Sequence, residues 1–281
     1  MFRFMLCVCL YACLSASVMI FSACNLPLRE SEQPQTPLTH SQSGTAPVST
    51  DLGNETIYYP SYGDLSGVAS VTYSELYSVT VNGISIEVLR LENNISLKGA
   101  YSAPASDVKN AHIAMFGLNE DAEAEVKVTK LDSRVGNVTI RPLSYAISPE
   151  VVGNTVSFGF TGTNKYISVE IDGWIEPLFI FVDAPEQDAP NGSALGLRYF
   201  GPGVHELGFP YLLGTGDELY IAPGAIVNGS IEVSGPYVKI HGRGILCGTN
   251  WLRTGVDSDN SEDFQKSALI ASSIDNLVYR I

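Results

Sequence analysis

The sequence predicts an all-β chain in two parts: an antiparallel β-sandwich, followed by a coiled solenoid of very short strands. Three observations predict it. No segment carries convincing helical periodicity. From about residue 58 to 183, short runs of alternating apolar residues are separated by Gly, Asn and Pro turns, as in a sandwich. From 199 to 248, apolar runs of a few residues turn at Gly224, Gly229, Gly235, Gly242 and Gly244 and resume at once. Runs that short suit rungs stacking apolar face on apolar face. An ordinary meander inside the sandwich is the alternative.

The chain opens with one positive charge, Arg3, and an apolar run reaching Cys24, the layout of an export signal over 1–24. Phe21-Ser22-Ala23-Cys24 resembles a bacterial lipobox, with Phe21 where Leu is usual, which makes Cys24 the candidate lipidation site and a membrane the partner of its lipid anchor. A simple cleaved signal and an uncleaved apolar anchor are the alternatives. Residues 25–54 are rich in Pro, Ser, Thr and Gln and poor in large apolar side chains. Such a segment buries too little surface to offset its ordering entropy, so it is expected to be a flexible leash. The expected location is extracellular, tethered at the cell surface or secreted.

The sandwich is expected over 55–184. Its clearest signal is Val79-Thr80-Val81-Asn82-Gly83-Ile84-Ser85-Ile86, where Asn-Gly between alternating strands specifies a type I′ hairpin. Alternation returns at Val126 and Val128, at Val156, Phe158 and Phe160, and at Ile167, Val169 and Ile171. Leu178-Phe179-Ile180-Phe181-Val182 is a continuous apolar run, suited to a strand covered on both faces. A proline-flanked polar connector follows over 185–198.

The coil is expected over 199–281. Its apolar strand residues are Leu219 and Ile221, then Ile226, Ile231 and Val233, Val238 and Ile240, and Ile245. Beyond a polar insertion the chain returns to strand and stops at Ile281, before any cap over the last rung. The expectation is a chain truncated relative to a full-length enzyme. A different capping fold, or rungs supplied by a partner chain, is the alternative.

The segments FGPGVHELG (200–208), ELYIAPGAIVNGSIEV (218–233) and VKIHGRGILCG (238–248) resemble the start of the right-handed parallel β-helix in pectin-lyase-like glycoside hydrolases. The resemblance is to glycoside hydrolase family 49, the dextranase and isopullulanase group, with family 28, the polygalacturonases, second. It implies a β-sandwich ahead of the helix, inverting hydrolysis of a polysaccharide, and catalytic carboxylates on later rungs. An α-glucan is the implied substrate and pectin the runner-up.

The Asn-Thr-Asp, Asp-Asp and Gly-His-Gly elements of the polygalacturonases do not occur, and no catalytic residue is assigned. Asp257, Asp259, Glu262 and Asp263 are close in sequence but read as a solvated acidic loop. His112, His205 and His241 read as structural, because none has a second ligand at metal or triad spacing; His205 is read as a turn residue bonding backbone. No metal and no cofactor is expected. Trp251 opens the insertion and is the candidate substrate contact, since an indole can stack on a pyranose; Trp174 is a weaker one.

Cys247 is the one cysteine beyond residue 24 and reads as a small buried apolar side chain. Sequons occur at Asn54, Asn94, Asn137, Asn191 and Asn228. A net charge of −14, from 16 Lys+Arg against 30 Asp+Glu, excludes nucleic acid as a natural partner and favours a neutral glucan over a polyanion. A non-catalytic, glycan-binding surface lipoprotein is the alternative from another class.

Overall fold

The computed structural model describes residues 48–51, 56–68, 71–92, 110–173, 175–187, 189–192, 194, 196–247, 269–271 and 278–280. All belong to one compact unit, His40–Ile281. In chain order the first strands are β1 (Val48–Asp51), β2 (Thr56–Tyr59), β3 (Val71–Tyr73), β4 (Tyr77–Val81), β5 (Ile84–Ile86), β6 (Val88–Glu92), β7 (Asn110–Leu118), β8 (Glu123–Lys130), β9 (Val138–Arg141), β10 (Glu150–Val152), β11 (Thr155–Thr161), β12 (Lys165–Ile171) and β13 (Leu178–Asp183). They form an eight-stranded sheet, β1-β2-β7-β13-β12-β9 with β6 and β3 beside β7, and a five-stranded sheet, β10-β11-β8-β4-β5.

The two sheets bury a common core. β8 alternates so that Ala124, Val126 and Val128 point inward while Glu123, Glu125 and Lys127 face water. They meet Val79, Val81, Val156 and Phe158 from their own sheet, and Ala114, Phe116, Ile167, Val169 and Ile180 from the other. Each such side chain contributes about 1.5–3 kcal/mol through burial. The Asn82–Gly83 hairpin forms as expected, with φ of 48° and 81° and Val81 opposite Ile84.

Two expectations are corrected. The sandwich is not purely antiparallel: β13 runs parallel to β7, which is possible because β8 to β12 supply the long crossover that a parallel pair requires. The segment 25–54 is not wholly an unstructured leash, since β1 pairs antiparallel with β2. Composition does not register the ladder hydrogen bonds that an available strand edge offers.

The remaining strands are β14 (Leu197–Phe200), β15 (Gly203–Leu213), β16 (Glu218–Ile221), β17 (Ala225–Val233), β18 (Lys239–Gly242), β19 (Ile245–Cys247), β20 (Leu269–Ala271) and β21 (Val278–Arg280). Every pairing among them is parallel. One sheet runs β14-β16-β18-β21; the other runs β15-β17-β19, with β20 also on β17. Leu197, Glu218 and Lys239 stack in register at equal sequence steps, so the first two coils use the same length of chain there, whereas the step from Lys239 to Val278 is longer. The third coil divides the course of β17: β19 follows Ile226–Asn228 and β20 follows Ile231–Val233. The polar insertion leaves between them. This is a parallel β-helix.

Its interior holds Phe200, Leu213, Leu219, Ile221, Val227, Ile231, Val233 and Ile240. Ile226 and Ile245 alternate out of that interior. With Cys247 and Val204 they pack on Leu89, Ile113, Met115, Phe179 and Phe181 from the outer face of the eight-stranded sheet. Here lies the reason β13 is apolar throughout: Leu178, Ile180 and Val182 face the sandwich core, while Phe179 and Phe181 face the coil.

Coils touch most closely at Gly242 and Gly244. A Cβ on Gly242 would collide with the Ile221 carbonyl oxygen, and one on Gly244 would sit 2.7 Å from the Ala222 oxygen. With no side chains there, Arg243 and Gly244 both donate backbone N–H bonds to the Ile221 oxygen, at 2.9 and 3.0 Å.

Candidate functional site

Because Leu219, Ile221 and Ile240 fill the coil, strand alternation turns Glu218, Tyr220, Lys239 and His241 outward on the sheet containing β16 and β18. Parallel register makes two columns, Glu218 beside Lys239 and Tyr220 beside His241, and Tyr199 on β14 extends the second. The Tyr199 and Tyr220 rings stack at 5.4 Å between centroids, and His241 meets Tyr220 edge-on at 5.0 Å.

Glu218 is the hub of this face. One of its oxygens accepts from His241 Nε2 at 2.7 Å and from Lys239 Nζ at 3.2 Å. Burial pushes the Glu218 carboxyl up, but the Lys239 and His241 contacts together outweigh burial and hold it below the ordinary carboxylate range. Tyr220 donates its hydroxyl to Glu186 at 2.6 Å. Burial, and then that carboxylate, push the Tyr220 phenol well above its usual range, so it remains a donor. Asp183 pairs with Arg243 at 2.5 Å, and Arg243 also donates to the Ala184 carbonyl at 3.4 Å. The connector is thereby pinned along this face, with Tyr220 2% and His241 7% exposed.

Cleavage of a glycosidic bond by a carboxylate pair needs one acid that still carries its proton at working pH. Glu218 is held ionised, and Glu186 and Asp183 are each engaged by a donor. What the face offers is a layered wall, and the backbone register continues to β21, with Lys239 opposite Val278 and His241 opposite Arg280.

His205 lies within β15 rather than in a turn, 3% exposed, with Nε2 2.6 Å from the Gly201 carbonyl oxygen and Phe200 against its ring. His112 lies in β7 at the end of the sandwich core, 1% exposed. Cys247 is buried at the joint between coil and sandwich. Asn137 and Asn191 are exposed, whereas Asn228 is fully buried and donates to Glu206 at 2.7 Å, which removes it as a glycosylation acceptor. Cys24, Trp174, Trp251, Asp257, Asp259, Glu262, Asp263, Asn54 and Asn94 lie outside the described residues.

Sequence reading missed the Glu218–Lys239–His241 grouping. Its members are one coil apart, so the signal becomes visible once the repeat is laid out rung under rung. Among the described residues, no group of three or more His, Cys, Asp or Glu is placed to hold a metal ion.

The described residues form a β-sandwich joined to a parallel β-helix. Among solved structures the chain is similar to Dex49A from Penicillium minioluteum, a dextranase, with a TM-score of 0.54 and 18% identity. The match covers 84% of this chain and 59% of that one. No family model and no curated protein matches the sequence.

Proposed function

We propose that the chain is the front section of an exported polysaccharide-degrading glycoside hydrolase, acting on an α-glucan by inverting hydrolysis. The observation that carries this reading is the structural likeness to Dex49A over 84% of this chain. Equal coil steps support it, because they give a frame on which further rungs can set carboxylates at fixed separation. The catalytic acid and base then belong to rungs beyond Ile281, and Glu218, Lys239 and His241 hold the first coils together. The net charge of −14 favours a neutral glucan over polygalacturonate. In this reading a signal ending at Cys24, lipidation there and a leash reaching β1 at Val48 tether the enzyme at the cell surface, and Trp251 is its substrate contact.

Reducing-end release from dextran and from polygalacturonate tests the reading. The chain to Ile281 is expected to be silent, and the product of the reading frame continued past Ile281 is expected to cleave dextran. Turnover by the chain to Ile281, or a stop codon at that point with a stable product, overturns it. Metabolic labelling with palmitate tests the anchor, with incorporation expected in the wild type and lost in Cys24→Ala.

A further inference from the structure

The second coil carries a strained aromatic residue where the first carries a glycine. The Gly216 N–H donates to the Pro236 carbonyl and the Lys239 N–H to the Asp217 carbonyl, each at 3.0 Å. The parallel register of β16 on β18 therefore runs back into the turns before them and sets Tyr237 opposite Gly216. Both residues take the left-handed conformation, Gly216 at φ +76° and Tyr237 at φ +61°. Glycine adopts it freely, whereas a Cβ there crowds the following carbonyl oxygen. Among the described residues, the other non-glycine positions with positive φ are Asn82, Ala146, Asn164 and Asp172, which are small or of the types that tolerate it.

Packing does not account for this ring. Tyr237 is 66% exposed, and it is the next residue, Val238, that anchors the turn in the coil interior. Among the described residues the phenol meets no other ring and makes no hydrogen bond. Elsewhere on the same sheet, side chains facing each other across coils stack, as Tyr199 does on Tyr220. Beside Tyr237 that place is open: a Cβ added to Gly216 would meet nothing within 4 Å apart from its own chain neighbours. The turn thus presents a bare ring next to a slot left by a missing side chain.

Backbone strain retained under an exposed side chain points to what that side chain meets from solvent. The face of a phenol packs on the C–H face of a pyranose, whose hydroxyls remain free for water or for polar groups at the edge. Such groups flank Tyr237 along the chain. Thr215, next to Gly216, is exposed, and Lys239, two residues past Tyr237, opens the polar wall of Glu218 and His241. A nucleobase can also stack on a ring, but the net charge of −14 opposes nucleic acid and other polyanions. A neutral glycan meets no such opposition.

We propose that Tyr237 is a glycan contact, stacking on one sugar unit of a neutral α-glucan at the slot beside Gly216. The proposal rests on the hydrolase reading for the choice of saccharide and adds to it a binding residue on the coil turns. Native electrophoresis of the chain through gels holding dextran, pullulan or polygalacturonate tests it, alongside thermal melts of each variant. Dextran or pullulan is expected to retard the wild type. Tyr237→Phe, which keeps the ring, should be retarded equally, and Tyr237→Gly should bind about fivefold or more weakly. Because glycine relieves the strain, Tyr237→Gly should melt about 2–4 °C above the wild type, the reverse of what losing a packing residue does. No retardation by either neutral glucan, retardation by polygalacturonate alone, equal retardation of Tyr237→Gly, or a Tyr237→Gly melting point below the wild type would overturn the proposal. Dextran hydrolysis by the extended enzyme, with Tyr237→Gly binding as the wild type does, sinks this proposal alone. Binding lost in Tyr237→Gly, without hydrolysis by the extended enzyme, sinks the hydrolase reading alone.

Discussion

Replacing Gly242 by Ala should separate the second and third coils. Gly242 has a φ of +134°, a conformation that costs an L residue about 1–3 kcal/mol. Its new Cβ would collide with the Ile221 oxygen and lie 2.7 Å from the Ile221 carbonyl carbon, both backbone atoms that cannot rotate away. Moving β18 off β16 weakens the two bonds that Arg243 and Gly244 donate to that oxygen, each worth about 0.5–1.5 kcal/mol. Together the loss is about 4 kcal/mol, or roughly 8–16 °C in melting temperature at about 2–4 °C per kcal/mol for a domain of this size. Gly216→Ala is the control: φ is +76° and nothing lies within 4 Å, so only strain of about 1–2 kcal/mol applies. Far-UV circular dichroism melts compare the two variants. A Gly242→Ala melting point within about 3 °C of Gly216→Ala, less than the roughly 4–12 °C expected of a gap of about 2–3 kcal/mol, would refute the close-contact argument.

Further outcomes follow from the same geometry. Ile226→Ala, at the joint between coil and sandwich, should cost about 2–4 kcal/mol and speed protease cleavage in the 184–194 connector; unchanged cleavage would mean that the joint does not couple the two parts. Tyr220→Phe should cost about 1–2 kcal/mol by taking the donor from Glu186, and its effect should not add to that of Glu186→Gln in a double-mutant cycle. Glu218 has a depressed folded pKa, so its stabilisation is complete above its ordinary value near 4.5 and fades as pH falls below that. Glu218→Gln should flatten this acid limb in urea titrations, and an unaltered limb would remove Glu218 from the account. His112 also has a depressed folded pKa, and for a base this means the unfolded chain takes up the proton first. Stability should decline as pH falls from about 6.5, and His112→Leu should abolish that decline while leaving the more acidic limb intact.

Much of the fold was legible in the chain itself. Asn82-Gly83 requires positive φ at both central positions, and the alternation at Val126 and Val128 requires one face inward; local chemistry decides both. The glycine-punctuated strands from 218 to 247 likewise favoured a stacked coil over a meander, since runs so short can bury their apolar faces rung on rung. The parallel β7–β13 pair was not legible, because strand direction depends on a crossover that local sequence does not encode.

The sites divide in the same way. The sequence set His241 at a strand end and His112 beside an apolar run, but it read His205 as a turn residue although it lies within β15, and it did not show what each would meet. Glu218 met Lys239 and His241 only when one coil was laid on the next. Ile226, Ile245 and Cys247 read only as apolar rung residues; the sandwich lies against their side of the coil and turns them into a joint. The residue types, their periodicity and their turns are properties of the chain and were fixed by it. Which polar groups face one another, and which apolar face is covered from outside, depend on contacts between segments far apart in sequence, and those exist only once the sheets are assembled.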